Sequence, residues 1–120
     1  MDLSELGVWP GISGQVSLVT GASRGIGKAI AQGLGLQGSY VIGTATTSSG
    51  ADNISKHLRD CCIKGQGMVL DVNDSQSVES LFSQLAQQEK TPTILVNNAG
   101  ITRDNLLLRM KEEEWEEVLS

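Results

Sequence analysis

Between Leu18 and Ala31 the chain reads LVTGASRGIGKAIA, with Gly21, Gly25 and Gly27 inside seven positions. Glycine is the costliest ordinary residue to order. What it offers in return is backbone freedom and closeness, because no Cβ holds a ligand or a neighbouring backbone away. A strand that runs into such a turn and then into a helix presents unpaired backbone N–H groups where the helix dipole favours anions. In that arrangement Gly21 makes the turn, Gly25 lets a pyrophosphate reach the backbone, and Gly27 lets the helix lie close to the sheet. The spacing is G-x3-G-x-G rather than G-x-G-x-x-G, and a plain strand-to-helix turn is the competing reading. Placement after a strand, before a helix and inside an alternating pattern selects dinucleotide binding. The candidate phosphate-binding residues are Gly21, Ala22, Ser23, Arg24, Gly25, Ile26 and Gly27.

The segment after the second apolar run bears on which dinucleotide is bound. A site for NAD usually places Asp or Glu there to hold the ribose 2′-hydroxyl. Here Thr44-Ala45-Thr46-Thr47-Ser48-Ser49 offers hydroxyls and no carboxylate before Asp52. Hydroxyls such as that of Thr46 tolerate a 2′-phosphate, and Arg24 can pair with it through charge-assisted hydrogen bonds. The alternative for Arg24 is a solvated surface arginine. The expected cofactor is NADP(H).

These residues need elements to position them. Gln15–Thr20 reads as a strand, followed by a helix whose Ile26, Ala29, Ile30, Gly33 and Leu34 share one face. Tyr40–Thr44 is a second strand, Ala51–Asp60 a helix with Ile54 and Leu58 inward, and Gly67–Val72 a third strand. Asp74 can cap the next helix, in which Val78, Leu81, Phe82 and Leu85 keep the helical rhythm. Thr93–Asn98 is a fourth strand, and a last helix is expected from near Lys111. Short apolar strands separated by helices imply parallel pairing, right-handed crossovers and a sheet covered on both faces. The predicted fold is α/β, a doubly wound parallel sheet of the Rossmann type with strand order 3-2-1-4. Residues 1–14 form a lead-in from which Trp9 and Ile12 pack onto the domain of residues 15–120. Ligands of such sheets sit beyond the carboxyl ends of the strands where the order reverses, here between strands one and four.

Composition sets the outer limits. The 120 residues suffice for one domain, and the net charge of −5 argues against nucleic acid or an anionic membrane as partner. The adjacent Cys61 and Cys62 make neither a disulfide framework nor a zinc set, so no metal is expected. No apolar stretch has the length of a membrane span and no secretion signal is evident, which makes a cytoplasmic setting the expectation. The lone His57 is expected to face solvent, and the acidic run Glu112–Glu114 to lie at a helix start.

Thr20-Gly21-x-x-x-Gly25-x-Gly27, with Asn97-Asn98-Ala99-Gly100 after the fourth strand, resembles the short-chain dehydrogenase/reductase family. Within it, TGASRGIGKAIA, VIGTAT and above all LVNNAGITRDNLLLRMKEEEWEEVL resemble the bacterial 3-oxoacyl-[acyl-carrier-protein] reductases. The resemblance implies NADPH-dependent reduction of a 3-oxoacyl thioester to the 3-hydroxyacyl thioester in fatty-acid elongation. It implies an acyl-carrier protein bearing a 3-oxoacyl group as partner, and a homotetramer. It places Asp71 near the adenine amino group with the Val72 backbone beside it, where capping a turn is the alternative for Asp71. Asn98, Ala99 and Gly100 would line the cleft floor against the cofactor ribose. Asn97 and Asn98 can equally satisfy backbone groups between strands.

The family's chemistry requires a tyrosine with a lysine four positions later, a serine and an asparagine. The single tyrosine, Tyr40, is followed at that spacing by Thr44, and no residue of this chain is assigned a catalytic role. The family's domains run to roughly 200–250 residues. The chain is therefore expected to be the cofactor-binding half of such a reductase, inactive alone. The alternatives are a piece of another short-chain carbonyl reductase or a non-catalytic nucleotide-binding product.

Overall fold

The computed structural model describes residues 12–98 and the backbone of Leu107–Arg109. The order of elements is β1 (Val16–Val19), α1 (Gly25–Leu36), β2 (Tyr40–Ala45), α2 (Ser48–Asp60), β3 (Gly65–Val69), α3 (Ser75–Gln87), β4 (Ile94–Val96) and β5 (Leu107–Arg109). The sheet order is β3-β2-β1-β4-β5, and the first four strands are parallel as expected. The register pairs Leu18 with Ile42 on one side and with Leu95 on the other.

The strands alternate between two cores. Val19, Val41, Ile94 and Val96 pack with Ala31 and Leu34 of α1 and Ile54 and Leu58 of α2. Leu18, Ile42 and Leu95 pack on the opposite face with Leu81 and Leu85 of α3. A sheet buried on both faces needs apolar residues at nearly every position, which is why these strands read as near-continuous apolar runs, broken by the buried Ser17 and Thr44. Ile12 belongs to the first core, as expected of the lead-in, whereas Trp9 lies outside the described residues.

Four expectations are corrected. The inward face of α1 is Gly27, Ala31, Gly33 and Leu34, with Ile30 half-buried, while Ile26 is 65% exposed and Ala29 is exposed. Ile26 and Ala29 project from the flank of the helix, away from the Gly27–Ala31–Leu34 face that meets the sheet. β3 ends at Val69, which puts Asp71 in the turn to α3 and outside the strand. α2 begins at Ser48, ahead of Ala51, because the Thr47 hydroxyl accepts the Gly50 N–H at 3.0 Å and caps the helix. The fourth strand is not the sheet's edge: β5 pairs with it antiparallel, Leu95 opposite Leu108. An antiparallel strand on an otherwise parallel sheet is a common way of finishing an edge. The helix expected near Lys111 lies outside the described residues.

The other edge, β3, is guarded. Gly67 N–H donates to Ser55 Oγ of α2 at 2.8 Å, and Asp71 N–H to Ser77 Oγ of α3 at 3.0 Å. Side chains from both flanking helices thereby occupy donors on and just beyond a strand that, among the described residues, has no partner on its outer side. α2 comes unusually close here, since a Cβ on Gly67 would stand 2.0 Å from Ala51 O. Among the described residues no helix is long and apolar enough to cross a membrane.

Candidate functional site

α1 and α2 lie over one face and α3 over the other, so the chain changes sides between β1 and β4. The carboxyl ends of those two strands are joined by side chains. Thr20, fully buried, receives the Asn98 backbone N–H on its Oγ1 at 2.8 Å and donates to Asn97 Oδ1 at 3.2 Å. Asn98 Nδ2 donates to Gly21 O at 3.2 Å. Both asparagines therefore serve the junction between strands. Thr20, part of the quoted motif, is its centre. Ala99 and Gly100 lie outside the described residues.

The glycine turn is held on its other side by Ala22 N–H, which donates to Thr44 O at 2.9 Å. Ala22 is buried and its donor is spent on β2, so it positions the turn and has no N–H left for a ligand. Gly21 and Gly25 have φ of +63° and +64°, a region that side chains with a Cβ rarely adopt. Gly27 is needed for space: a Cβ there would lie 2.2 Å from Gly21 O and 2.7 Å from Asn98 Nδ2. The start of α1 is thus pressed against the β1–β4 junction. Lys28 N–H reaches Arg24 O, and the earlier N–H groups of the first turn have no partner within the helix. Arg24 is the N-cap of α1 and makes no side-chain cap.

A cleft of about 520 Å³ opens between this turn and the start of α2, lined by Gly21, Ser23, Arg24, Ala45, Thr46, Thr47, Ser49, Gly50 and Asn53. It brings Arg24 and Thr46 together. Among the described residues its lining holds one cation and no carboxylate. Thr47 and Ser49 belong to the hydroxyl segment Thr44–Ser49 singled out in the sequence, whereas Gly50 and Asn53 are lining residues to which the sequence does not point. The run of hydroxyls before a helical pattern is the signal that locates Thr47 as a cap.

Asp71 and Val72 lie outside this cleft. Asp71 is exposed, and its Oδ1 accepts Asn73 N–H at 3.0 Å while its carbonyl accepts Asp74 N–H at 3.1 Å. That is the turn-capping arrangement. The Val72 side chain packs against the α3-side core. Tyr40 lies at the opposite end of the sheet, where its hydroxyl accepts from Gln66 Nε2 at 3.3 Å and Lys90 Nζ sits 4.5 Å from its ring centroid. His57 is half-buried beside Cys61, with 3.9 Å between Nδ1 and Sγ. Among the described residues no group of acidic, histidine or cysteine side chains could hold a metal.

A glycine turn on a strand-to-helix junction, a switch point tied by Thr20 and Asn98, and sheet order 3-2-1-4 agree with the comparisons to known proteins. The family model for short chain dehydrogenases matches residues 15–120. The chain is 53% identical over 108 residues to the 3-oxoacyl-[acyl-carrier-protein] reductase FabG of Haemophilus influenzae, covering 90% of this chain and 43% of that protein. The Pseudomonas aeruginosa protein of the same name is 53% identical over 109 residues, covering 91% of this chain and 44% of the relative. That of Vibrio cholerae is 55% identical over 108 residues, covering 90% and 43%. The chain spans less than half the length of these relatives. By its fold, its glycine turn and this match over residues 15–120, the chain belongs to the short chain dehydrogenase family.

Proposed function

We propose that this chain is the cofactor-binding half of an NADP-dependent 3-oxoacyl-[acyl-carrier-protein] reductase, which reduces the 3-carbonyl of a carrier-bound acyl group to the 3-hydroxyl. The substrate class is carried over from the relatives' names. The cofactor choice rests on the cleft that holds Arg24 without an opposing carboxylate. That is the observation on which the reading turns.

When bound, the nicotinamide supplies the hydride. The chain's own residues bind and orient the dinucleotide. The uncommitted N–H groups of Gly25, Ile26 and Gly27 would take the pyrophosphate, Ser23 lining the way to it. Arg24 and Thr46 would hold the 2′-phosphate, the guanidinium by charge-assisted hydrogen bonds. Asp71 retains a second carboxylate oxygen for the adenine amino group, with the Val72 backbone beside it. Asn98, Ala99 and Gly100 would floor the ribose site. None of these residues transfers a proton to the substrate.

The test is NADPH consumption by the full-length protein with a 3-oxoacyl-[acyl-carrier-protein]. Saturable oxidation with formation of the 3-hydroxyacyl product is expected. Reduction of other ketones together with no reaction on the carrier-bound substrate would overturn the substrate assignment.

A further inference from the structure

Residues four apart on a helix share a face. Along α2, Ser49 and Asn53 line the cleft that contains Arg24 and Thr46. Ser48 and Asp52, one position earlier, line a separate cleft of about 510 Å³ between α2, β3 and α3. The carboxylate nearest in sequence to the Arg24 cleft is thereby directed away from it, and an amide stands in its place. We infer that the Ser49–Asn53 row of α2 is a specificity-determining wall of the 2′-phosphate site, with Asn53 as a neutral donor to the phosphate from the α2 side. This rests on the NADP reading above and extends it to residues that reading does not use.

The rotation of α2 that makes this assignment is locked. Ala51, Ile54 and Leu58 are buried against the sheet. The Thr47 cap fixes the first turn. A Cβ on Gly67 would meet Ala51 O at 2.0 Å and one on Gly43 would meet Ile54 Cγ2 at 2.7 Å, so the helix has no room to roll. The side chains of Arg24, Ser49 and Asn53 are exposed or uncommitted: among the described residues none is engaged in a hydrogen bond or ion pair. A phosphate monoester carries about −1.5 to −2 charges near neutral pH. A carboxylate in this row would repel it, while the 2′-hydroxyl of NADH would accept a carboxylate as partner.

The test compares Asn53→Asp, Asn53→Ala, Asp52→Asn and Arg24→Ala in the full-length protein, by kcat/KM with NADPH and with NADH and by affinity for 2′,5′-ADP. Asn53→Asp is expected to lower kcat/KM for NADPH and affinity for 2′,5′-ADP by about tenfold or more, without a matching loss with NADH. Asn53→Ala is expected to cost a smaller factor in the same direction, and Asp52→Asn to leave the ratio of the two cofactors unchanged. Retained NADH activity shows that the variants fold. If Arg24→Ala selectively impairs NADPH while Asn53→Asp shifts nothing, or impairs both cofactors alike, the inference about α2 is overturned and the 2′-phosphate reading survives. If neither variant alters the cofactor ratio, both fall.

Discussion

Across 78 positions of sequence, the Thr20 hydroxyl accepts the Asn98 backbone N–H at 2.8 Å. One fully buried oxygen thus joins the ends of β1 and β4 at the point where the sheet changes direction. Thr20→Val keeps the shape but leaves the Asn98 N–H and the Asn97 amide oxygen without this partner. A loss of about 1–3 kcal/mol is expected, read from chemical denaturation of the full-length protein, with Thr20→Ser retaining most of the stability. Equal losses in the two variants would place the cost in packing instead of hydrogen bonding.

The glycines of the turn fail in different ways when replaced. A Cβ on Gly25 would meet nothing within 4 Å, so only the φ of +64° resists substitution there. Gly25→Ala is expected to cost about 1–2 kcal/mol, and Gly25→Asn less, since asparagine visits this region more readily. At Gly27 the obstacle is contact with Gly21 O and Asn98 Nδ2, and Gly27→Ala must push α1 off the junction. About 1–3 kcal/mol is expected from the overpacking. Gly27→Asn is expected to be worse than Gly27→Ala, the reverse of the order at Gly25. Thermal melts of the four variants check both orders.

The fold is legible in the sequence where apolar runs continue along a strand. Val16–Val19, Tyr40–Ala45 and Ile94–Val96 stand out in this way, and their parallel order follows from the helices between them. β3 begins at Gly65, two residues ahead of the strand read from Gly67, because Gly65 and Gln66 carry no strand signal of their own. Glycine is required on this strand for closeness: a Cβ on Gly65 would stand 2.1 Å from Val41 O of β2, and one on Gly67 2.0 Å from Ala51 O of α2. β5 has no signal of its own, since pairing of Leu107–Arg109 with β4 is long-range and leaves no local periodicity. The glycine turn and the asparagine pair are legible as a site. Of the α2 wall, Ser49 falls in the hydroxyl segment read from the sequence, but Asn53 is indistinguishable in sequence from a solvated helix face.

The β3 edge offers a prediction about association. Ser55 Oγ occupies the Gly67 N–H, and Ser77 Oγ the Asp71 N–H just past the strand. Replacing both serines by alanine frees these donors on an outer edge, a template for strand addition. Sedimentation velocity of the Ser55→Ala/Ser77→Ala protein is expected to show concentration-dependent species larger than those of the wild type. Unchanged profiles across the concentration range would mean that the serines do not protect the edge.

The 120-residue polypeptide by itself is expected not to reduce a 3-oxoacyl thioester. Hydride arrival at a carbonyl leaves an alkoxide that requires a matched proton donor. The single tyrosine, Tyr40, is held at the amino end of β2 by Gln66 and Lys90, at the wrong end of the sheet. Activity within about a hundredfold of the full-length protein, or some 2.7 kcal/mol of barrier, would show that a donor has been overlooked.

On the proposed function, the cleft between the glycine turn and α2 receives the 2′-phosphate of NADPH. The most direct test of this is kcat/KM of the full-length protein with NADPH and with NADH on the same 3-oxoacyl thioester. A clear preference for NADPH that shrinks in Arg24→Ala, chiefly through loss with NADPH, is the predicted result. Equal or better use of NADH by the unaltered protein would show that the cleft does not select the 2′-phosphate.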